Sequence, residues 1–533
     1  MASHEHLEKC AQLLSRKSTD DEKFAGLLLV PRIVDTQDAE SLRYLFEAMD
    51  PKFLARLLRA NPPQAAHGSA SAEPEPEELL QLNIALHIID VFGSHNNIAS
   101  DRRMLDHIPR LCELACMCSA EVATGAAQVL YKLFAQDAAV GEILRQPDCL
   151  LALLTSTATD GDRQHLVRLL EYALSRCSQF IHSHSYDDVH MCGWVAIVAK
   201  AASILRASQD KHKFDYLSML VEALDPLTAK DAVDANALWS CWPLVRDISA
   251  GCVEILRQKS EATQYSDISL ALYAHLARLW PDFVFSKLAM SSTSDAVEAV
   301  EKKEAALALR LMCVEGQAAI DTMMIHPPEG SDRLSQRKAD QARVKRGWKL
   351  TFCAETAAIW LGWTTSWLDS QPGTKEVDEA TIYALMGEVQ KFAISAVDFL
   401  IDWSERVGNQ QMLDHASGLV MSTVHFLAQW LATDPNLHKA ATPILTMCLD
   451  WITTSEEYGS VISRYVMPCI TFALDTCGIS EEQYKADIKA RDLHHDCTQA
   501  QEFASPWVGT MELDDLARAV YHIPSDEDIL KAL

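Results

Sequence analysis

Apolar residues recur along this chain at the three- and four-residue spacing of an amphipathic helix, from near its start to beyond residue 430. One stripe covers Leu42, Leu45, Phe46 and Met49. Asp50-Pro51 follows it and predicts a helix start, because proline is favoured at the first helical position. A later stripe covers Ile382, Leu385, Val389, Phe392, Ala396 and Phe399. No segment alternates between apolar and polar residues long enough to predict a strand.

Prolines and small polar residues interrupt this helical pattern at a few places. The segment 61–78 holds four prolines among Ala, Ser and Glu, and it predicts a disordered acidic, proline-rich insert. The segment 326–350 begins with adjacent prolines and predicts a basic linker. We therefore predict N-terminal helical repeats at 1–60, central armadillo-like repeats at 79–325 and C-terminal helical repeats at 351–533.

Many successive amphipathic helices, each with a wide apolar face, are typical of a helical solenoid in which helix pairs bury their faces against neighbouring pairs. No strict period with a repeated signature is present, so the repeats must be degenerate. The pattern predicts an all-α fold, an armadillo- or HEAT-like superhelical solenoid. The alternative is an ordinary all-helical multidomain protein.

Composition supports the helical interpretation and restricts the partners. Gly and Pro number 19 each among 533 residues, well below their average usage of about 12% together, which disfavours folds with a tight turn after every strand. The formal net charge is −27, from 47 basic and 74 acidic residues. Such a charge repels nucleic acid and favours basic partners, although solubility alone is the alternative explanation.

The cysteines and apolar stretches indicate a cellular compartment. Fifteen scattered cysteines without regular spacing predict free thiols in a reducing environment. Those at 112, 116 and 118 lie on one apolar segment, and we expect them to be core residues. The stretch 189–205 is interrupted by His190 and Lys200, so it falls short of the ~20 apolar residues that a membrane span requires. We expect a soluble cytoplasmic or nucleocytoplasmic protein.

Catalytic signatures are absent from the sequence. It holds no phosphate-binding glycine loop, no dinucleotide fingerprint and no nucleophile elbow, so we expect no enzymatic activity and no cofactor. One group of residues has the chemistry of zinc ligands but not the usual ligand spacing: His182, His184, His190 and Cys192. A polar loop between helices is the alternative explanation, and we predict no metal site.

Two features are candidates for binding a partner or a lipid. The first is a basic segment at 333–349, comprising Arg333, Arg337, Lys338, Arg343, Lys345, Arg346 and Lys349. It could attract anionic lipid or acidic partner segments, or serve only as a solvated linker. The second is a tryptophan stripe at Trp360, Trp363 and Trp367. Tryptophans at helical spacing are usually core residues, but they also anchor protein interfaces.

Several helical segments resemble those of a known family: 22–30, 213–220, 248–256, 270–279, 305–315 and 417–449. The first, Glu-Lys-Phe-Ala-Gly-Leu-Leu-Leu-Val, resembles the opening helix of the neurochondrin family. The Leu-Met-Cys-Val-Glu at 311–315 is similar to the family's Leu-x-Cys-Val-Glu segment.

This resemblance implies an armadillo-like helical-repeat protein with no catalytic activity. In animals the family acts as a neuronal adaptor linked to neurite outgrowth, to receptor cytoplasmic tails and to restraint of calmodulin-dependent kinase signalling. Its members also associate with membranes through palmitoylated cysteines near the initiator Met, whereas the first cysteine here is Cys10.

Taken together, the sequence predicts a non-enzymatic interaction scaffold or adaptor, with regulation of signalling as a candidate role. It would bind basic or amphipathic segments of other proteins along a helical-repeat groove. The alternative is a membrane-surface adaptor that makes weak contact with anionic lipid through 333–349. The oligomeric state is not predicted.

Overall fold

The structure is a computed structural model of the 533-residue chain. It describes residues 4–34, 38–59, 76–117, 120–156, 163–183, 186–208, 212–238, 241–258, 263–289, 296–324, 333–370, 378–407, 409–434, 438–454, 459–466 and 469. Within these ranges the regular structure is helical and no strand is present.

The chain divides into two compact units, of which unit 1 comprises Met1–Leu227 and Val233–Cys241. Its helices are α1 (His4–Leu14), α2 (Asp20–Ile33), α3 (Ala39–Ala48), α4 (Pro51–Leu58), α5 (Pro76–Gly93), α6 (Asn96–Ala99), α7 (Arg102–Leu105), α8 (Ile108–Met117), α9 (Ala120–Phe134), α10 (Asp137–Arg145), α11 (Asp148–Thr155), α12 (Arg163–His182), α13 (Asp188–Ala207), α14 (Lys213–Leu224) and the larger part of α15 (Ala229–Leu238).

Unit 2 comprises Thr228–Ala232 and Trp242–Leu533. Its further helices are α16 (Trp242–Arg257), α17 (Thr263–Leu279), α18 (Pro281–Ala289), α19 (Ala296–Met324), α20 (Arg333–Ser370), α21 (Glu379–Val407), α22 (Asn409–Thr433), α23 (His438–Thr454) and α24 (Gly459–Val466).

Local sequence signals explain where several helices begin. The Thr19 side chain accepts from the Glu22 amide, and Glu22 accepts in return from the Thr19 amide, so a capping box starts α2. At α4, Asp50 is the N-cap and Pro51 is the first helical residue, which confirms the predicted start. The Asp50 carboxylate also accepts a 2.9 Å hydrogen bond from the buried ammonium of Lys23 on α2.

In each unit, helices pack against the next helix in the chain and against others up to four places away. In unit 1, α9 packs against α5, α8 and α12. In unit 2, α20 packs against α17, α19 and α22. Large fully buried side chains fill the spaces between the helices, among them Phe92, Trp194, Trp430 and Trp451. The prediction of an all-α, armadillo- or HEAT-like helical-repeat fold is confirmed.

The two predicted segments between the helical repeats, 61–78 and 326–350, overlap the first residues of α5 and α20. Residues 60–75 lie outside the described ranges, and α5 begins at Pro76. Helix α20 begins at Arg333 and continues through residues 350 and 351 to Ser370. The predicted basic linker and the predicted start of the C-terminal repeats therefore share one helix.

Helix α13 is long and apolar enough to cross a membrane by length and composition, and it is the one such helix in the described ranges. We expected His190 and Lys200 to interrupt this apolar stretch. The mean hydropathy over an 18-residue window of the helix is nevertheless 1.4. More than half of that window, 56%, is buried within the protein. The helix packs against α10 and α14, as a core helix does.

Candidate partner-binding surface

The three tryptophans of the predicted stripe occupy different environments on α20. Trp360 is 1% exposed and belongs to the core of unit 2. Trp363 and Trp367 are half-buried, and their rings stack at 5.9 Å between centroids with 23° between planes. The stripe therefore contributes one core residue and a pair of partly exposed indoles.

Helix α18 fixes the orientation of Trp363. The indole Nε1 of Trp363 donates a 2.7 Å hydrogen bond to Oδ1 of Asp282. The Trp363 ring also contacts the fully buried ring of Phe285 at 6.0 Å between centroids. A hydrogen bond at one edge and an aromatic contact on the ring hold the indole in one orientation.

Leu368 follows Trp367 near the end of α20, and its side chain is 45% exposed. Trp363, Trp367, Leu368 and the exposed carboxylate of Asp282 are here called the aromatic patch. Indole faces attract ammonium and guanidinium groups, and a nearby carboxylate adds to that attraction. The patch thus has the chemistry to hold a basic side chain next to an apolar one.

Sequence reasoning found the indoles but missed Asp282, Phe285 and Leu368. Asp282 and Phe285 lie 81 and 78 positions before their partner Trp363, so only the packing of α18 against α20 brings them together. Leu368 gives no signal because single exposed leucines are common on protein surfaces.

The basic segment 333–349 forms the first part of α20. The side chains of Arg337, Lys338, Arg343 and Lys345 lie outside the described residues, and Arg346 is half-buried. These side chains remain predicted contacts for a lipid or a partner.

Lys349 ends the basic segment and forms ion pairs inside unit 2. Its Nζ lies 2.5 Å from Oε2 of Glu315 on α19 and 3.4 Å from Oδ1 of Asp267 on α17. Burial lowers the pKa of Lys349, but the Glu315 hydrogen bond and both carboxylates raise it above the usual value overall. Lys349 therefore stays charged and neutralises acidic groups of its own chain.

One residue of the histidine cluster, His190, takes part in helix capping. Asp187 accepts a hydrogen bond from the His190 amide, and Nδ1 of His190 accepts from the Asp187 amide, so the pair starts α13. His182 is exposed at the end of α12, Cys192 is half-buried, and His184 lies outside the described residues. Among the side chains that the structure describes, no three His, Cys, Asp or Glu residues are placed to hold a metal.

The first cysteine of the chain is a core residue. Cys10 is fully buried on α1, and its thiol donates to the Gly26 carbonyl oxygen at 3.6 Å. Burial raises the pKa of Cys10 to about 11. In this folded state the Cys10 thiol is protonated and shielded from solvent.

Comparison with known proteins identifies the family. The sequence model of the neurochondrin family matches residues 2–464, which is most of the chain. The chain is also similar to the "Neurochondrin homolog" of Drosophila melanogaster, at 32% identity over 112 residues. That match covers 21% of this chain and only 14% of the relative.

Solved structures that resemble this chain do so at low identity. An engineered protein is 15% identical, with a TM-score of 0.40, over 88% of this chain and 98% of its own. A chain from a study of a phosphorylation switch that controls the interaction between cadherin and beta-catenin is 11% identical, with a TM-score of 0.28, over 89% of this chain and 92% of its own. A chain of the Kap95:Nup1 complex is 11% identical, with a TM-score of 0.26, over 91% and 70%.

These TM-scores are all below 0.5, so the assignment does not rest on them. It rests on the family match over residues 2–464, with which the helical-repeat fold agrees. The chain belongs to the neurochondrin family.

Proposed function

We propose that this chain is a non-enzymatic interaction scaffold that binds segments of other proteins along a groove of its helical repeats. Family membership and the helical-repeat fold support a scaffold in general terms. A role in regulating signalling in the cytoplasm is part of the same proposal. The match to the Drosophila relative covers only 14% of that protein, so the proposal does not draw on the activity of the whole relative.

The observation that carries the proposal is the aromatic patch. It comprises two stacked, half-buried indoles, one of which is hydrogen-bonded to an exposed carboxylate, and an exposed leucine near the end of the same helix. Tryptophan in a prepared, partly desolvated position is the residue type most often found at energetic hot spots. Because the protein carries a net charge of −27, its preferred ligand is a basic amphipathic segment.

A titration with a synthetic peptide tests this proposal. The probe is a helix-forming peptide of about 18 residues with Lys and Arg on one face and Leu on the other. We expect the intrinsic tryptophan fluorescence of the protein to change on binding. Trp367→Ala should raise Kd at least about tenfold, or about 1.4 kcal/mol, because a stacked anchor is lost.

Two controls make the titration specific. Tyr383 is the matched control, since it is also an exposed aromatic of unit 2, at 71% exposure, but lies on α21. Tyr383→Ala should leave Kd unchanged. A peptide with Glu in place of Lys and Arg should bind far more weakly. Equal affinity of the wild type and Trp367→Ala for the basic peptide contradicts the role assigned to the patch.

The alternative predicted from the sequence, an adaptor that docks on anionic lipid through 333–349, has less support. Lys349 of that segment is already paired with two carboxylates. Sedimentation with phosphatidylserine vesicles decides the matter. Equal sedimentation of the wild type and of a variant with Arg343, Lys345 and Arg346 changed to Glu rejects lipid docking through this segment.

A further inference from the structure

The Asp282 carboxylate of the aromatic patch is exposed to solvent and yet fixed in position. It lies in the first turn of α18, and its Oδ1 accepts the 2.7 Å hydrogen bond from Nε1 of Trp363 on α20. Phe285, one turn further along α18, contacts the ring of the same tryptophan at 6.0 Å between centroids. Two contacts between α18 and α20 therefore hold the carboxylate and the indole against each other.

One oxygen of this carboxylate is available to a ligand. The hydrogen bond from Trp363 uses Oδ1, and among the residues that the structure describes no hydrogen bond to Oδ2 and no ion pair to Asp282 is formed. A carboxylate next to apolar rings attracts a cation more strongly than one fully surrounded by water, because fewer water molecules screen its charge. This oxygen therefore favours a basic group of a partner.

The two indoles beside the carboxylate provide flat apolar surface. Trp363 and Trp367 are one turn apart on α20, and their rings stack at 5.9 Å between centroids with 23° between planes. Carbon atoms in contact are ~3.5–4 Å apart, so rings with this centroid distance are displaced sideways and each leaves part of its face uncovered by the other. Both side chains are half-buried, so part of this surface reaches solvent.

Arginine matches this combination of groups better than lysine does. A guanidinium is planar, stacks on aromatic faces and donates N–H groups from its edge to a carboxylate. It is also more weakly hydrated than an ammonium, so it loses less hydration when it moves onto a half-buried aromatic surface. A lysine ammonium is compact and strongly hydrated, and it has no flat face to stack on an indole. An exposed ion pair alone contributes little, so the stacking contact decides between the two side chains.

The basic residues of α20 itself cannot fill this site. Lys349 is the last basic residue of the segment 333–349, and it lies 14 positions before Trp363 on the same helix, or ~21 Å along the helix axis. That distance is several times the length of a lysine side chain, and the Lys349 ammonium is already paired with Glu315 and Asp267. The occupant is therefore sought in a partner segment, to which the net charge of −27 adds a general attraction for basic residues.

We propose that Asp282, Trp363 and Trp367 form an arginine-selective subsite, which binds a single arginine of a partner segment and discriminates against lysine at that position. The guanidinium donates to Oδ2 of Asp282, and its plane lies on the uncovered indole surface. This inference rests on the proposed function, because it specifies which basic residue of the ligand contacts the aromatic patch.

Isothermal titration calorimetry with two peptides tests the subsite. The basic amphipathic peptide described above is made in two versions, one with Arg and one with Lys at every basic position, so that net charge and leucine face are the same. We expect the Arg version to bind the full-length protein at least about fivefold more tightly than the Lys version. The reason is that only a guanidinium combines stacking with a charge-assisted hydrogen bond at its edge.

Asp282→Asn separates the charge of the subsite from its shape. The asparagine side-chain oxygen still accepts from Nε1 of Trp363, so the indole keeps its orientation while the negative charge is lost. We expect the preference for Arg to fall below about twofold, through weaker binding of the Arg version. Asp398 is the matched control, since it is also an exposed carboxylate of unit 2 but lies on α21. Asp398→Asn should keep the preference of the wild type, and thermal melting by circular dichroism checks that both variants are folded.

The possible results separate this inference from the proposed function. Equal affinity of the wild type for the two versions, or a preference for Arg that survives Asp282→Asn, overturns the arginine subsite but leaves a scaffold that binds basic segments. A preference lost equally in Asp398→Asn also overturns it, because total charge and not the site then determines the preference. Binding of neither version overturns the proposed function, and the subsite with it.

Discussion

Helices α10 and α13 of unit 1 approach each other closely at Gly193, and this approach supports a specific prediction for Gly193→Ala. A Cβ atom at this position would lie 1.8 Å from the Leu144 carbonyl oxygen at the end of α10. It would also lie 2.8 Å from the Leu144 carbonyl carbon and 3.2 Å from its Cα. All three are backbone atoms, so no side-chain rotation can relieve the overlap.

The cost follows from the distance that α10 and α13 must separate. Cβ contacts below 3.0 Å essentially never occur, so the two helices must move apart by at least the difference between 3.0 and 1.8 Å. Even a gap of ~0.5–1 Å forfeits a quarter to a half of the dispersion energy of the facing atoms. We expect Gly193→Ala to lower the free energy of unfolding by about 3 kcal/mol, at the upper end of overpacking costs. For a unit of this size, such a loss lowers the Tm by roughly 6–12 °C.

Differential scanning calorimetry measures the shift, and hydrogen exchange shows whether it arises at α10 and α13. Gly387 on α21 is the matched control, because it is also inside a helix but has no atom within 4 Å of the added Cβ. Gly387→Ala should be neutral or stabilising by up to about 1 kcal/mol, since alanine is the better helix former. A Gly193→Ala protein with the Tm and exchange pattern of the wild type refutes the packing argument.

Two further predictions concern buried charges. Lys23→Met should destabilise unit 1 by about 3–5 kcal/mol, because it leaves the Asp50 carboxylate buried without its partner. Adding Asp50→Asn should recover part of the loss in a denaturant double-mutant cycle; no recovery means the pair is not coupled. In unit 2, burial raises the pKa of Glu355 from 4.5 to about 7. Between these two pH values the folded state binds more protons than the unfolded state, so the free energy of unfolding falls as pH rises from about 4.5 to about 7. Glu355→Gln should remove this pH dependence and be more stable than the wild type at pH 8 by at most about 3 kcal/mol. Equal pH profiles of the wild type and Glu355→Gln in calorimetry contradict the raised pKa.

Much of the fold could be predicted from the sequence because helix formation and capping are local. The stripe at 42–49 and the Asp50-Pro51 start depend on residues within two turns of each other, and both agree with α3 and α4. The boundary predicted at 350 does not separate two helices, because the basic residues before it and the tryptophans after it lie on the same α20. Charge and composition change along this helix without breaking it.

The candidate sites were harder to predict because they depend on which helices pack together. Helical spacing placed Trp360 and Trp363 on one face, but only the packing shows that the first is a core residue and the second contacts Asp282. Asp282 lies 81 positions before Trp363, on a helix whose packing against α20 no local pattern indicates.

The hydrogen bond between Trp363 and Asp282 determines what kind of epitope the aromatic patch is. Its two ends lie 81 residues apart, on α18 and α20. A synthetic copy of α20 carries both indoles but not the carboxylate that orients one of them. Such a peptide should therefore be a poor competitor for a partner of the intact chain. Antibodies raised against it should recognise denatured protein better than folded protein.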